Sequence, residues 1–255
     1  MLRRAKQLTD YKLGARDGEI GKVKEFYFDD QSWTVRYLIA DTGGWLTGRQ
    51  VLISPYALEP ANERSEVIPV DLTKSQIEQS PSLAVDRPVS RQYESDYYSY
   101  YCWPGYWGGP YTWGLSAYPT RGRNGWSEAS RRAEDEDPHL RSTMDVTGHD
   151  IQARDGEIGH VEDFVIDDET WAIRYLIVDT KNWWPGKKVL ISTRWIERIS
   201  WEESKVFINL TREAIRQGPE YTDETLITRD HETKLHRHYN REGYWADELV
   251  ARSTR

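Results

Sequence analysis

The seven residues Ala15-Arg16-Asp17-Gly18-Glu19-Ile20-Gly21 return as Ala153-Arg154-Asp155-Gly156-Glu157-Ile158-Gly159, 138 positions later. At the same offset Arg36-Tyr37-Leu38-Ile39 matches Arg174-Tyr175-Leu176-Ile177, and Val51-Leu52-Ile53-Ser54 matches Val189-Leu190-Ile191-Ser192. The register runs without a gap from Leu2, opposite Leu140, to Trp107, opposite Trp245. Solenoid units run to about 50 residues, so a period this long is a duplicated domain. Two copies also act as a control. A side chain whose chemistry serves both domains should stand in both, and one that stands once is neutral or specialised.

The second copy reads as a run of short strands. Asp150-Ile151-Gln152-Ala153 alternates, and Asp155-Gly156 is a hairpin turn in which glycine takes the positive φ. Ile158 to Ile166 follows as a strand, with Gly159 marking a bulge or bend. Asp167 to Thr170 is a polar turn, and Trp171 to Val178, rich in β-branched and aromatic residues, is a central strand. A turn is expected at Asn182 to Gly186, then strands at Lys188 to Ser192, Trp195 to Ile199 and Lys205 to Leu210. Thr211 can cap a short helix that Gly218-Pro219 stops, and Thr73 and Pro81 repeat the arrangement in copy one. Strands of this length with a turn at every boundary predict a small antiparallel barrel, whose closure leaves no exposed edge.

Bulk properties narrow the function. A chain of 255 residues suffices for two cored domains. Net charge is −8, which disfavours a broad grip on phosphate backbones. No stretch reaches the roughly 18 apolar residues of a membrane span. The N-terminus has charge but no apolar signal region, so the expected address is the cytoplasm. One cysteine, Cys102, excludes an internal disulfide and a cysteine zinc site.

The order Asp155-Gly156-Glu157-Ile158-Gly159, Val161 to Phe164, Asp167-Asp168 and Trp171-x-x-Arg174-Tyr175-Leu176 resembles the PRC-barrel domain family. That family is named for the cytoplasmic domain of the photosynthetic reaction centre H subunit, and a similar barrel occurs in a ribosome-maturation factor. The resemblance covers about 80 residues twice. It implies small β-barrels that serve as adaptors in a bacterial protein, with no catalytic residues to carry over.

After each barrel comes a charged, aromatic segment. Tyr93, Tyr97, Tyr100 and Tyr101 fall at i, i+4, i+7 and i+8, one face of a helix. His231, Leu235, His238 and Tyr239 are the counterparts. Ser90 and Thr228 are candidate caps, with the helices expected to end near Gly105 and Gly243. Trp103, Tyr106, Trp107, Tyr111, Trp113 and Tyr118 follow in the first copy, Tyr244 and Trp245 in the second. Disordered linkers are poor in aromatics, so these rings pack on something: their own barrel, or a partner that Tyr and Trp would anchor. Residues 120–138 read as a polar, flexible linker.

The Asp-rich turns, with Asp17, Asp29, Asp30 and their counterparts, lack the spacing of a calcium loop and are explained by turn formation. His231, His236 and His238 face Tyr93, Tyr98 and Tyr100 in copy one, which argues against zinc. Ser54 and Ser192 lie in no nucleophile elbow. No phosphate-cradling or dinucleotide glycine loop is present. Arg36 and Arg174 read as strand arginines pairing with a nearby acid such as Asp41 or Asp179.

The expectation is therefore a mainly β chain of two tandem small antiparallel β-barrels, each followed by a short helix and an aromatic tail. The first repeat spans 1–94, a linker 95–137, the second repeat 138–232 and a C-terminal tail 233–255. The copies should pack together or exchange tails. The expected role is a non-catalytic adaptor or assembly module with a protein partner and no catalytic, cofactor or metal residues. A homo-oligomer is compatible with it and direct nucleic-acid binding is disfavoured. The candidate interface is Tyr93, Tyr97, Tyr100, Tyr101, Trp103, Tyr106, Trp107, Tyr239, Tyr244 and Trp245. The alternatives are a regulatory subunit docked on a membrane complex of the reaction-centre kind, or a ribosome-assembly factor that binds a basic protein.

Overall fold

The structure, a computed structural model, describes residues 1–46, 50–83, 89–120, 139–180 and 187–246. The turn expected at Asn182 to Gly186 and nearly all of the polar linker lie outside the described residues. The chain divides into two compact units. Unit 1 comprises Met1–Val146 with Phe164–Arg174, and unit 2 comprises Thr147–Asp163 with the chain from Tyr175 onward.

Unit 1 begins with β1 (Leu2–Arg4), α1 (Ala5–Thr9), β2 (Lys12–Ala15), β3 (Gly18–Asp29), β4 (Thr34–Asp41) and β5 (Val51–Ile53). A 3-10 turn at Pro55–Ala57 leads on to β6 (Val67–Val70), α2 (Lys74–Glu78) and α3 (Arg91–Tyr100). From the second repeat it draws β7 (Leu140–Ser142) and α4 (Thr143–Val146). The sheet runs β5-β4-β3-β2-β6, with β7 on β3. It is antiparallel apart from β2 and β6, which pair in parallel from Lys12 opposite Val67 to Ala15 opposite Val70.

The second repeat continues with β8 (Asp150–Ala153), β9 (Gly156–Asp167), β10 (Ile173–Asp179), β11 (Lys188–Ser192), β12 (Ile196–Ser200) and β13 (Lys205–Ile208). The helices α5 (Arg212–Arg216) and α6 (Arg229–His238) follow. Its strands run β11-β10-β9-β8-β13-β12, again with one parallel pair, β8 with β13. The fold is thus mainly β, with a β-rich half followed by helices in each repeat.

The local chemistry is the same in both. Gly18 and Gly156 turn the β2–β3 and β8–β9 hairpins at φ +137° and +142°. The turn aspartates do a second task. Asp17 Oδ1 accepts from Lys74 N at 2.8 Å and Asp155 Oδ1 from Arg212 N at 2.7 Å, so each satisfies a free amide at the start of a helix. Thr73 and Thr211 cap those helices with their own hydroxyls. Gly21 and Gly159 sit at φ +132° and +145° beside the register shift that bulges the hairpin.

The start of β10 and the ends of the tail helices differ from expectation. β10 starts at Ile173 rather than Trp171, because Trp171 takes φ 60° and Trp33 φ 51°, outside strand geometry. The tail helices stop at Tyr100 and His238, short of Gly105 and Gly243. Cys102 and Asn240 supply the left-handed residue that glycine usually provides there, at φ 55° and 50°. Trp103 N then reaches Tyr98 O at 2.9 Å, and Arg241 N reaches His236 O at 3.0 Å.

Within unit 1 the two repeats exchange their first strands, a feature too short to read from the sequence. β1 pairs with the end of β9, Leu2 opposite Asp167 and Arg4 opposite Val165. β7 pairs with the end of β3, Leu140 opposite Asp29 and Ser142 opposite Tyr27. Each register is the other moved by one repeat. Val35 N donates to Trp171 O at 2.8 Å and Ile173 N to Trp33 O at 2.7 Å, a reciprocal pair about the Thr34–Ala172 bridge. What the repeats exchange here is the leading strand, where the sequence offered packing together or an exchange of tails.

Candidate functional site

β4 presents seven consecutive buried residues, so both of its faces are covered. Helix α3 and the chain after it provide the cover where Tyr37 points. Ser90 caps α3 by accepting from Tyr93 N. The buried face is Arg91, Glu94, Ser95, Tyr97 and Tyr98, which rotates the helix away from the expected Tyr93–Tyr97–Tyr100–Tyr101 stripe. The rotation brings a carboxylate and its arginine inside, a choice that apolar periodicity does not detect.

Glu94 has no exposed surface and three donors. Tyr37 Oη donates to its Oε1 at 2.8 Å, Tyr106 Oη at 3.0 Å, and Arg91 Nη1 donates to Oε2 at 2.5 Å. Burial nevertheless pushes the carboxyl up to about 7, against the pull of Arg91 and the two phenols. Burial also raises Tyr37 and Tyr106, and the facing carboxylate adds to it. Burial lowers Arg91, but Tyr106 and Glu94 together more than reverse it.

Arg36, on β4, is the second buried guanidinium. Its Nη2 donates to Asp29 Oδ2 and Ser32 Oγ, both at 3.1 Å, and its Nη1 to Thr112 O at 2.6 Å. Its Cζ lies 3.8 Å from the centre of the Tyr106 ring and 5.0 Å from that of Trp113. The acid is therefore Asp29, not Asp41, whose carboxylate instead accepts from Gly43 N. Arg174 likewise pairs with Asp167 at 2.7 Å, not with Asp179. Burial pushes Asp29 and Asp167 up, but each arginine and the turn's own donors hold them below the usual carboxylate range. The second aspartate of each doublet looks elsewhere: Asp30 pairs with Arg141 and Asp168 with Arg3. Both doublets are thus accounted for by ion pairs and turn hydrogen bonds.

Unit 2 repeats the buried carboxylate. Tyr175 Oη donates to Glu232 Oε1 at 2.8 Å, and Arg229 Nη1 lies 3.0 Å from Oε2. His236 takes the place of Tyr98, with Nε2 3.0 Å from Tyr175 Oη and Nδ1 3.0 Å from Glu242 O. Burial lowers the imidazole pKa, so the histidine belongs to the packed interior. Leu235, His236 and Tyr239 are buried while His231 and His238 are not, which rotates this helix as it does α3. No cluster of three or more His, Cys, Asp or Glu suited to a metal ion occurs among the described residues.

Of the predicted interface residues, Tyr97, Trp103 and Tyr106 are buried within unit 1, and Tyr239 and Tyr244 within unit 2. Tyr97 Oη donates to Leu52 O at 3.0 Å and accepts from Ser54 N at 3.2 Å, so it ties α3 to β5. Tyr93, Tyr101, Trp107 and Trp245 are half-buried, and Tyr100 is 39% exposed. Tyr101 stacks on Trp103 with ring centres 4.4 Å apart. Tyr100 Oη donates to Gln76 O at 3.0 Å. These rings flank a cavity of about 550 Å³ that Arg16, Asp71 and Cys102 also line.

A second cavity of about 650 Å³ is lined by Arg36, Arg91, Tyr106, Trp107, Tyr111 and His139, among others. The sequence reading missed Arg91 and Glu94. One signal could have found them: an arginine and a glutamate three residues apart stand in both repeats, as Arg229 and Glu232, whereas the tyrosine stripe of α3 does not recur.

The family model of the PRC-barrel domain matches residues 10–77 and again residues 144–215. No curated protein matches the chain.

Proposed function

The chain belongs to the PRC-barrel domain family, and on that premise we propose that it is a non-catalytic module that binds a partner protein, with the outward rings of α3 as the contact. One observation carries the reading. Tyr100 and Tyr101 stand together at the surface, 4.8 Å between ring centres, and both hydroxyls are held by Gln76 O. Trp103 backs Tyr101 from beneath. Rings already fixed lose little entropy on binding, and tyrosine and tryptophan are common interface anchors. The groove beside them bears Arg16, Asp71 and Gln76, which could give a partner polar register. The buried tyrosines of the predicted interface then serve as the platform that holds these two.

The test is affinity capture from native extract with the wild-type chain and a Tyr100→Ala, Tyr101→Ala variant of unchanged circular dichroism. One protein retained by the wild type and lost by the variant supports the reading. A partner held equally by both moves the contact off α3, and capture of nothing specific sinks the adaptor role. Gradient fractionation of the captured complex distinguishes a membrane assembly from a ribosomal one. No described helix is long and apolar enough to cross a membrane.

A further inference from the structure

We propose that the 650 Å³ cavity of unit 1 is a binding site for a small molecule that carries both an oxyanion, a carboxylate or a phosphate monoester, and a flat ring. The volume is in the range of small-molecule sites, about 300–1,000 Å³.

The argument rests on Arg91. Its side chain is 7% exposed, yet only Nη1 is used, by Glu94 and by Tyr106 Oη at 3.0 Å. Nε is buried with no hydrogen-bond partner, and Nη2 makes no hydrogen bond to a described residue. A guanidinium this enclosed, with Nε buried and unpaired, is costly unless something else pairs with its charge, and Nη2 is the nitrogen left for that. Neutralising Glu94 does not require the burial. In unit 2, Arg229 pairs with Glu232 through Nη1 in the same way, and its side chain is 51% exposed. The two arginines also stand alike over their tryptophans, Arg91 Cζ 4.6 Å from the Trp107 ring centre and Arg229 Cζ 4.3 Å from that of Trp245. The first repeat has therefore done something further with a shared arrangement: it has enclosed the arginine in a cavity.

The other lining groups fit the same ligand. Asp29 is the acid among them, and Arg36 with two backbone amides already occupies it. It offers little repulsion to a second anion. His139 adds a potential donor. Pro110 and Tyr111, the latter 48% exposed, give an apolar surface on which a ring can lie. The remaining guanidinium nitrogen, Nη2, suits an oxyanion, since a charged N–H donor makes a strong hydrogen bond to an anionic oxygen.

The full-length chain is titrated with benzoate, adenosine monophosphate and inorganic phosphate by calorimetry, in the wild type, Arg91→Gln and Tyr111→Ala. One of the two ring-bearing probes should bind one to one, benzoate indicating a carboxylate site and the nucleotide a phosphate site. Arg91→Gln should weaken it about tenfold or more, the loss of one charge-assisted hydrogen bond. Tyr111→Ala should weaken it severalfold with the fold intact, and this decides the matter if Arg91→Gln does not fold. Failure of both ring-bearing probes at millimolar concentration overturns the proposal. So does binding that neither variant affects. Inorganic phosphate bound as tightly as the nucleotide overturns the ring wall.

Discussion

Arg3 holds Asp168 from 165 positions away, with Nε 2.6 Å from Oδ2. Arg141 holds Asp30 in the same manner at 3.1 Å, one repeat later in the arginine and one earlier in the acid. Each pair fastens the first strand of one repeat to the Asp-Asp turn of the other, inside unit 1. A duplicated chain can do this because an arginine and an aspartate at fixed positions in each copy can satisfy each other crosswise.

These ion pairs should differ in strength. Arg3 and Asp168 have 7% and 11% of their side chains exposed, whereas Arg141 has 31%. Arg3→Ala is expected to cost about 1–3 kcal/mol in urea unfolding, since it leaves Asp168 with only the Met1 ammonium as a cationic partner. Arg141→Ala should cost about 1 kcal/mol or less. In a cycle with Asp168→Ala, the Arg3 effect should shrink by at least about 1 kcal/mol. Strict additivity would show that the pair contributes nothing.

Gly21 and Gly159 are predicted to be the least replaceable glycines. A Cβ at either position would lie 2.0 Å from a backbone oxygen, Asp41 O or Asp179 O, at a φ that side chains avoid. Neither neighbour is a flexible tip that can swing away. Gly21→Ala and Gly159→Ala should each cost about 3 kcal/mol or more, or prevent soluble expression. Thermal unfolding within about 1 kcal/mol of wild type would contradict the close approach.

Cys102→Gly and Asn240→Gly should stabilise. Both residues hold the left-handed conformation that ends a tail helix, at φ 55° and 50°. Removing the Cβ relieves that strain, and the added freedom of the unfolded chain offsets part of it. A gain of about 0.5–1 kcal/mol is expected for each. A loss in denaturant midpoint for both would mean that their side chains matter more than the backbone there.

Glu94 sets a pH dependence with a definite sign. Its carboxyl is pushed up to about 7 in the folded chain from an ordinary 4.5. The native state therefore binds the proton more tightly than the unfolded state. That contribution is fully present below the unfolded value and is lost as pH rises toward 7, by up to about 3 kcal/mol. Asp29 and Asp167 act in the opposite sense, since their lowered values stabilise at neutral pH and fail only in acid. Between roughly pH 5 and 8 the Glu94 share falls while that of His236, whose pKa burial lowers, rises, so in Glu94→Gln the melting temperature should slope more upward with pH than in the wild type. An unchanged slope in the variant would place the titration elsewhere.

Much of the architecture follows from local rules and the repeat. Asp-Gly turns, β-branched runs and threonine caps act within a few residues, so their outcome is readable wherever they stand. The β8 and β11 bounds fall where alternation and turn chemistry place them, as does the Thr211-capped α5. The tail helices were legible as helices, because Ser90 and Thr228 cap locally. Their inner faces were not, because the helix carries its carboxylate and arginine inside only where tyrosine hydroxyls from elsewhere meet the carboxylate.

Two copies of one β-rich domain, each followed by a capped helix and an aromatic segment, are legible in the chain because periodicity, turns and caps are local. The partner that a buried charged side chain takes is settled by packing. Asp30 and Asp168 look like turn formers until the exchanged strands bring Arg141 and Arg3 to them, and Arg91 and Glu94 look like a solvated helix pair until Tyr37 and Tyr106 enclose them. The free energy of a buried charge depends on every donor within reach, and Tyr37, Tyr106, Arg141 and Arg3 stand 12 to 165 positions from the acids they meet.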